Sequence, residues 1–163
     1  MSSGPGPAPV PSLREAAPGA AEGRERRRTL AGSIPVAASP ERAWQIFSRV
    51  DDWPLWDWFG AAEAAWVAGE PWAVGSVLRL GHRPIAYDCV IVEVDPPRQV
   101  SWMAGVAGMR GRHTVRFEPH ADGCLVVTRG EFAGPAVRLA RPAARWCWRR
   151  SLRGFRDWVA AHP

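Results

Sequence analysis

The chain has 163 residues, enough for one domain with a substantial hydrophobic core and too few for two ordinary domains. All 21 basic side chains are arginine, and ten tryptophans stand against a single tyrosine. The cysteines, Cys89, Cys124 and Cys147, are odd in number and widely spaced, so they offer neither a disulfide framework nor a paired-cysteine metal site. No segment is apolar enough to span a membrane and no signal peptide is recognisable, which predicts a cytoplasmic protein.

The N-terminal part of the sequence is rich in Pro, Gly, Ala and Ser and ends in a charged run from Arg24 to Arg28. Such a composition buries too little apolar surface to offset the entropy lost on ordering. We therefore predict a disordered tail over residues 1–28 and one folded domain over residues 29–163.

The folded part is predicted to begin with a strand, because Leu30, Ile34 and Val36 alternate with smaller or polar residues. Ser39, Pro40 and Glu41 then predict a helix start, since serine caps, proline suits the first helical position and glutamate suits the positive end of the helix dipole. The segment 51–54 is expected to break this helix, and residues 55–59 are predicted to form a second short one.

A series of short alternating segments follows, divided by turns rich in Gly, Pro and Asp. Short links favour antiparallel neighbours, because parallel strands need long crossovers. The predicted strands lie near residues 62–68, 75–81, 85–95, 99–106, 109–119 and 123–133.

The last segment, residues 137–161, is predicted to be a long amphipathic helix whose apolar stripe includes Trp148, Leu152 and Phe155. Pro142 is expected either to kink this helix or to mark a later start. A twisted sheet with one apolar face would curl around such a helix. The prediction is an α+β helix-grip fold with a seven-stranded antiparallel sheet, two short helices after the first strand, and a cavity between sheet and terminal helix.

Four segments resemble the opening, turns and strands of the START-like (SRPBCC) superfamily, which includes polyketide cyclases, dehydrases and lipid-transport proteins. They are IPVAASPERAW at residues 34–44, VDDWPLWD at 50–57, EVDPPRQVSW at 93–102 and GMRGRHTVRFEP at 108–119. The resemblance covers about residues 30–160 and implies a hydrophobic ligand in the cavity. The chain departs from many relatives in its last strand, where Arg129 and Gly130 replace acidic residues and Glu131 alone is kept.

His113 is the candidate catalytic residue. It shares a strand face with Val115 and Phe117, so its imidazole is expected to point inward, titrate near neutrality and exchange protons with a substrate. The alternative is a packed histidine whose nitrogens are satisfied by neighbours.

Aromatic side chains are the other candidate ligand-binding residues, with simple core packing as the alternative for each. Strand parity places Phe132 inward and Glu131 outward, and allows Tyr87 to face the cavity as a hydrogen-bond donor. The candidates are Trp56, Trp66, Tyr87, Trp102, Phe132, Phe155 and Trp158.

The sequence contains no phosphate-binding loop, no nucleophile elbow and no cluster of metal ligands, so neither a cofactor nor a metal is expected. Two functions remain open: a cofactor-free cyclase or dehydratase of natural-product biosynthesis, and a non-catalytic carrier, sensor or sequestering protein for a hydrophobic compound. Residues 137–161 carry seven arginines and one aspartate, which suits docking of an acidic carrier protein. Nucleic acid is not expected as a partner, because no recognition motif accompanies the charge.

Overall fold

The computed structural model of the chain describes residues 27–56, 63–82, 85–106 and 108–162. Residues 1–26 of the predicted tail lie outside the described residues, and Arg28 already belongs to the first strand. The elements in chain order are β1 (Arg28–Val36), α1 (Pro40–Phe47), a 3-10 helix (Val50–Asp52), α2 (Trp53–Trp56), β2 (Glu63–Ala68), β3 (Val77–His82), β4 (Ile85–Asp95), β5 (Gln99–Val106), β6 (Met109–His120), β7 (Gly123–Ala133) and α3 (Val137–Ala161).

The seven strands form one antiparallel sheet in the order β1-β7-β6-β5-β4-β3-β2. β1 and β2 are the two edges of the sheet. β1 pairs with β7, which is distant in sequence, and the other five neighbouring pairs are each joined by a short connection, as predicted from the turn-rich sequence. The sheet curls with α3 packed against it, and α3 lies close to β1, where an added Cβ on Gly32 would stand 3.1 Å from Cδ1 of Leu152. The predicted α+β helix-grip fold is confirmed.

Strand register separates a buried inner face from a charged outer face. On β6, His113, Val115 and Phe117 face inward, while Arg112 and Arg116 lie on the opposite face and are exposed. The outer face carries ion pairs, such as the one between Arg79 and Asp88 on the neighbouring strands β3 and β4, and the one between Arg112 on β6 and Glu93 on β4, which reaches across β5. The cross-strand partners of His113 are Trp102 on β5 and Gly130 on β7.

The first helix begins as predicted: the Oγ of Ser39 accepts a hydrogen bond from the backbone N–H of Arg42 at 3.2 Å. The segment after it differs from the prediction, because the residues expected to break the helix form the 3-10 helix and α2 instead. Trp53 explains the difference, since its Nε1–H donates to the carbonyl oxygen of Phe47 at 2.7 Å and folds the chain back over the end of α1. Residues 57–59 of the predicted second helix lie outside the described residues.

The terminal helix has the predicted bounds, and Pro142 lies inside it rather than before its start. Leu152, Phe155 and Val159 are buried against the sheet and α2, as the apolar stripe predicted. In the described part of the chain, no helix is both long enough and apolar enough to cross a membrane.

Candidate ligand cavity

A cavity of about 120 Å³ lies between the inner face of the sheet and the helices α2 and α3. Its walls are mostly aromatic and aliphatic, with a few polar side chains among them. The lining residues are Phe47, Trp53, Trp56, Leu80, Tyr87, Trp102, His113, Val115, Val126, Thr128, Trp148, Ser151, Leu152 and Phe155.

The helix α2 forms one wall because it packs closely on α3. The ring of Trp56 lies 5.0 Å from that of Phe155, measured between centroids. This contact depends on Gly154, because a Cβ there would stand only 2.0 Å from the carbonyl oxygen of Trp56. Gly154 therefore permits the backbone approach that brings Trp56 to the cavity.

His113 lies between two indole rings. Its imidazole stacks on Trp148 of α3 at a centroid distance of 4.7 Å and contacts Trp102 of β5 at 4.5 Å. Its Nε2 forms a hydrogen bond with the Oγ1 of Thr128 on β7. The inward orientation agrees with strand parity, and the side chain joins β5, β6, β7 and α3.

Burial lowers the pKa of His113 from the usual value near 6.5 to about 4. The sequence-based expectation of titration near neutrality was therefore wrong, because it took no account of the water excluded by Trp102 and Trp148. At neutral pH the imidazole is uncharged. In that form it can accept a proton, but it carries no extra proton to give to a substrate.

Five of the eight predicted binding residues line the cavity: Trp56, Tyr87, Trp102, His113 and Phe155. The structure brings them together from α2, β4, β5, β6 and α3. Their role in binding stays a prediction, since the geometry gives their position and not their ligand.

The other three predicted residues do not belong to the described lining. Trp66 packs on Trp72 instead, with ring centroids 5.1 Å apart. Trp158 is close to the end of α3 and lies 4.1 Å from the ring of His162. Phe132 does face inward, as predicted, but its ring covers Gly130 beside Trp148: an added Cβ on Gly130 would stand 2.3 Å from Cε2 of Phe132.

Sequence reasoning missed several lining residues, of which Trp53, Thr128 and Trp148 matter most. Trp148 was placed correctly on the apolar stripe of the terminal helix but was not singled out. Thr128 shares the inner face of β7 with Val126, so strand parity alone would have found it. Trp53 gave no such signal, because its segment was interpreted as a helix break.

The Nε1–H of Trp56 is shielded from solvent and has no acceptor in the described part of the chain. Among the residues that the structure describes, no three His, Cys, Asp or Glu side chains come together in a way that could hold a metal ion.

A second concavity, of about 380 Å³, lies between β1 and α3. Three arginines line it, Arg145, Arg149 and Arg153, and none of them has an ion-pair or hydrogen-bond partner among the described residues. We call this the arginine groove. It shares Trp148 and Leu152 with the hydrophobic cavity, so these two side chains separate the two spaces.

Solved structures with similar folds cover most of this chain at low sequence identity. Protein MLL2253 from Mesorhizobium loti aligns with a TM-score of 0.67 and 19% identity over 83% of this chain and 99% of its own. Norcoclaurine synthase from Thalictrum flavum aligns with a TM-score of 0.66 and 16% identity, covering 85% of this chain and 96% of its own. CalU16 from Micromonospora echinospora gives 0.64 and 13%, covering 82% and 76%.

No protein with curated function matches the sequence significantly. The likeness to the solved structures shows the fold alone, because each shares less than a fifth of its residues with this chain. A family model covers residues 27–161, which is nearly all of the folded domain. The chain belongs to the family described as polyketide cyclase / dehydrase and lipid transport.

Proposed function

We propose that this protein binds a compact, hydrophobic aromatic molecule in the cavity beneath α3. The main support is a cavity of about 120 Å³ whose walls are mostly aromatic and aliphatic side chains. An apolar protein cavity of about 150 Å³ is known to bind benzene, so this somewhat smaller space is on the scale of a single aromatic ring. A long folded polyketide chain would need the cavity to enlarge.

The geometry of His113 favours a non-catalytic function, in which the protein is a carrier, sensor or sequestering protein for the ligand. Its Nε2 is already engaged by Thr128, and both faces of the ring are covered by indoles. The lowered pKa makes the imidazole a weak base and removes it as an acid at neutral pH. A histidine held in this way serves packing better than proton transfer.

A cyclase or dehydratase in natural-product biosynthesis remains the second candidate function. The observation in its favour is that His113 and Tyr87 both line the cavity, where they could act on a bound carbonyl compound. Norcoclaurine synthase has the same fold, so the architecture is compatible with an enzyme. If the protein is an enzyme, His113→Gln should lower turnover about 10²- to 10⁴-fold while binding changes little. Unchanged turnover would leave His113 as a wall of the cavity.

Binding itself is tested first by native mass spectrometry of the freshly purified chain, which detects a co-purified small molecule. In parallel, toluene is titrated while tryptophan fluorescence is recorded, because six of the lining rings are indoles or phenyl groups in contact with the space. We expect a saturable change in fluorescence. A linear, non-saturating response together with no co-purified compound would contradict the proposal.

The arginine groove supports an acidic partner, and we propose a carrier protein that delivers or receives the ligand. The three guanidiniums of the groove, which have no partner within the part of the chain that the structure describes, present positive charge beside the wall formed by Trp148 and Leu152. Replacing Arg145 and Arg149 with glutamine should abolish binding to an acidic carrier protein, whereas Arg156→Gln, an exposed arginine outside the groove, should not. Equal loss in both variants would point to nonspecific attraction.

We propose the cytoplasm as the compartment. Cys89, Cys124 and Cys147 are all free and buried, which suits a reducing environment.

A further inference from the structure

The arginine groove is formed by two elements that do not neutralise its charge. β1 contains no acidic residue, and the single acid of α3, Asp157, pairs with Arg156 outside the groove. Arg145, Arg149 and Arg153 have no ion-pair or hydrogen-bond partner among the residues that the structure describes. The groove therefore keeps three positive charges that the described part of the chain does not balance.

Arginines on the sheet are arranged differently, since Arg79, Arg112 and Arg129 each lie against a carboxylate. Those of the groove follow one another at intervals of four residues on α3, so they share one side of the helix, with a rise of about 6 Å from each to the next. Like charges at this spacing repel one another and destabilise a helix. An anion between these guanidiniums would remove the repulsion.

The walls of the groove indicate the class of anion. Guanidiniums donate paired hydrogen bonds to oxyanions, and phosphate is one of the groups that they bind best. A phosphate monoester carries a charge of about −1.5 to −2 at neutral pH, so it matches three guanidiniums better than a single carboxylate does. Trp148 and Leu152 add an apolar wall, and the space of about 380 Å³ is larger than a bare phosphate ion fills.

We infer that the arginine groove is a second binding site, which takes a small organic phosphate. The phosphate lies between the guanidiniums, and the carbon chain packs on Trp148 and Leu152. This site goes beyond the hydrophobic cavity and does not depend on the ligand there. An acidic carrier protein would use the same guanidiniums through its carboxylates, so the experiment must distinguish phosphate from carboxylate.

The test compares n-butyl phosphate with butane-1-sulfonate. These probes share a carbon chain and a tetrahedral head group, but at about pH 7.5 the phosphate is mostly a dianion and the sulfonate a monoanion. Dissociation constants are measured by titrating the ¹⁵N-labelled chain and following the NMR signals of the arginine Nε–H groups and of the Trp148 indole. We expect butyl phosphate to bind at least about ten-fold more tightly than the sulfonate. Equal affinities would overturn the inference.

Arg149→Gln removes the middle guanidinium of the three and should lower the affinity for butyl phosphate at least about five-fold. Arg156→Gln is the matched control, because it removes an exposed arginine of the same helix that lies outside the groove. The control should bind butyl phosphate within about two-fold of the native chain. Equal losses in the two variants would mean nonspecific attraction to a basic helix, and the inference would be wrong.

A measurement on the native chain alone covers the case in which Arg149→Gln does not fold. Lowering the pH from about 7.5 to about 5.5 adds a proton to butyl phosphate and leaves the sulfonate unchanged. The titratable residues that line the groove are arginines, which keep their charge over this range. Butyl phosphate should therefore bind more weakly at the lower pH, whereas the affinity for the sulfonate should stay the same. A constant affinity for butyl phosphate would contradict the inference.

A short polyglutamate peptide and toluene complete the comparison. If the peptide binds the native chain and butyl phosphate does not, the groove is a surface for acidic proteins and the phosphate inference is wrong. If toluene binds and butyl phosphate does not, the inference fails while the proposed function of the cavity stands. If butyl phosphate binds as expected and toluene does not, the groove site is supported and the cavity function fails.

Discussion

The imidazole of His113 and the indole of Trp148 lie nearly parallel, with ring planes 9° apart and centroids 4.7 Å apart. This stack links β6 to α3, and Trp102 covers the imidazole from β5. The groups against the imidazole are two indoles and the hydroxyl of Thr128, none of which titrates near neutrality. The charge state of His113 is therefore governed by burial, and protonating it works against the folded state.

The first prediction is that the protein loses stability as the pH falls from about 6.5 to about 4. The pKa of His113 is about 4 in the folded chain and has its usual, higher value when unfolded, so the unfolded chain takes up a proton first. Stability from this group is fully present above the unfolded pKa and falls as the pH drops, by up to about 3 kcal/mol. Urea unfolding at several pH values in this window measures it.

His113→Gln supplies the control for that experiment. Glutamine keeps a polar side chain near Thr128 and does not titrate, so the pH dependence in this window should largely disappear. Asp88 and Asp95 have lowered pKa values because Arg79 and Arg98 donate hydrogen bonds to them. The stability that these two carboxylates contribute is lost only at lower pH, below their ordinary pKa near 3.8. Native and variant curves with the same slope would show that His113 is not the group responsible.

The second prediction concerns Thr128, which is 5% exposed and bonds the imidazole of His113. Thr128→Val keeps the shape but leaves Nε2 without its partner, so unfolding free energy should fall by about 1–3 kcal/mol. Thr29→Val is the control, because Thr29 is exposed on β1, and a change within about 0.5 kcal/mol is expected there. An equal change in unfolding free energy for Thr128→Val and Thr29→Val would mean that the hydrogen bond between Thr128 and His113 contributes nothing to stability.

The third prediction concerns the contact between α2 and α3. Gly154→Ala places a methyl group 2.0 Å from the carbonyl oxygen of Trp56, so the helices must separate, at a cost of about 1–3 kcal/mol or more. Gly105→Ala is the control, since its nearest atom would be 3.6 Å away. Chemical unfolding and toluene binding are measured for both variants. Unchanged stability and affinity in Gly154→Ala would show that α2 adjusts freely.

The strands and the terminal helix were predictable because their signals are local. Alternation and turn residues placed β5 and β7 at the bounds that the structure shows, and helical periodicity did the same for α3. The start of α2 was not predicted, because the conformation of this segment depends on a hydrogen bond from the side chain of Trp53 to the carbonyl oxygen of Phe47. Such a bond leaves no periodic pattern in the sequence.

The cavity was only partly predictable for a related reason. Alternation along β6 and β7 correctly predicted that His113 and Phe132 face inward. It gives the face of the sheet on which a side chain lies, but not where along that face the cavity is. Phe132 lies over Gly130 instead of in the cavity lining, and Trp158 lies close to the end of α3. The lowered pKa of His113 needed three further elements to be placed around it, since its cause is the burial that they produce together.

The last prediction uses one substitution at two positions on the same face of β3. Leu80 borders the cavity, whereas Leu78 is 0% exposed and is not among the lining residues. Leu78→Phe must overpack a filled region and should cost about 1–3 kcal/mol of unfolding free energy. Leu80→Phe has empty space to enter, so it should cost less and should weaken toluene binding at least about ten-fold by filling that space. Unfolding midpoints and fluorescence titrations give both quantities. If Leu80→Phe binds toluene with native affinity, the ligand site lies elsewhere, because a side chain placed in this cavity would then not compete with it.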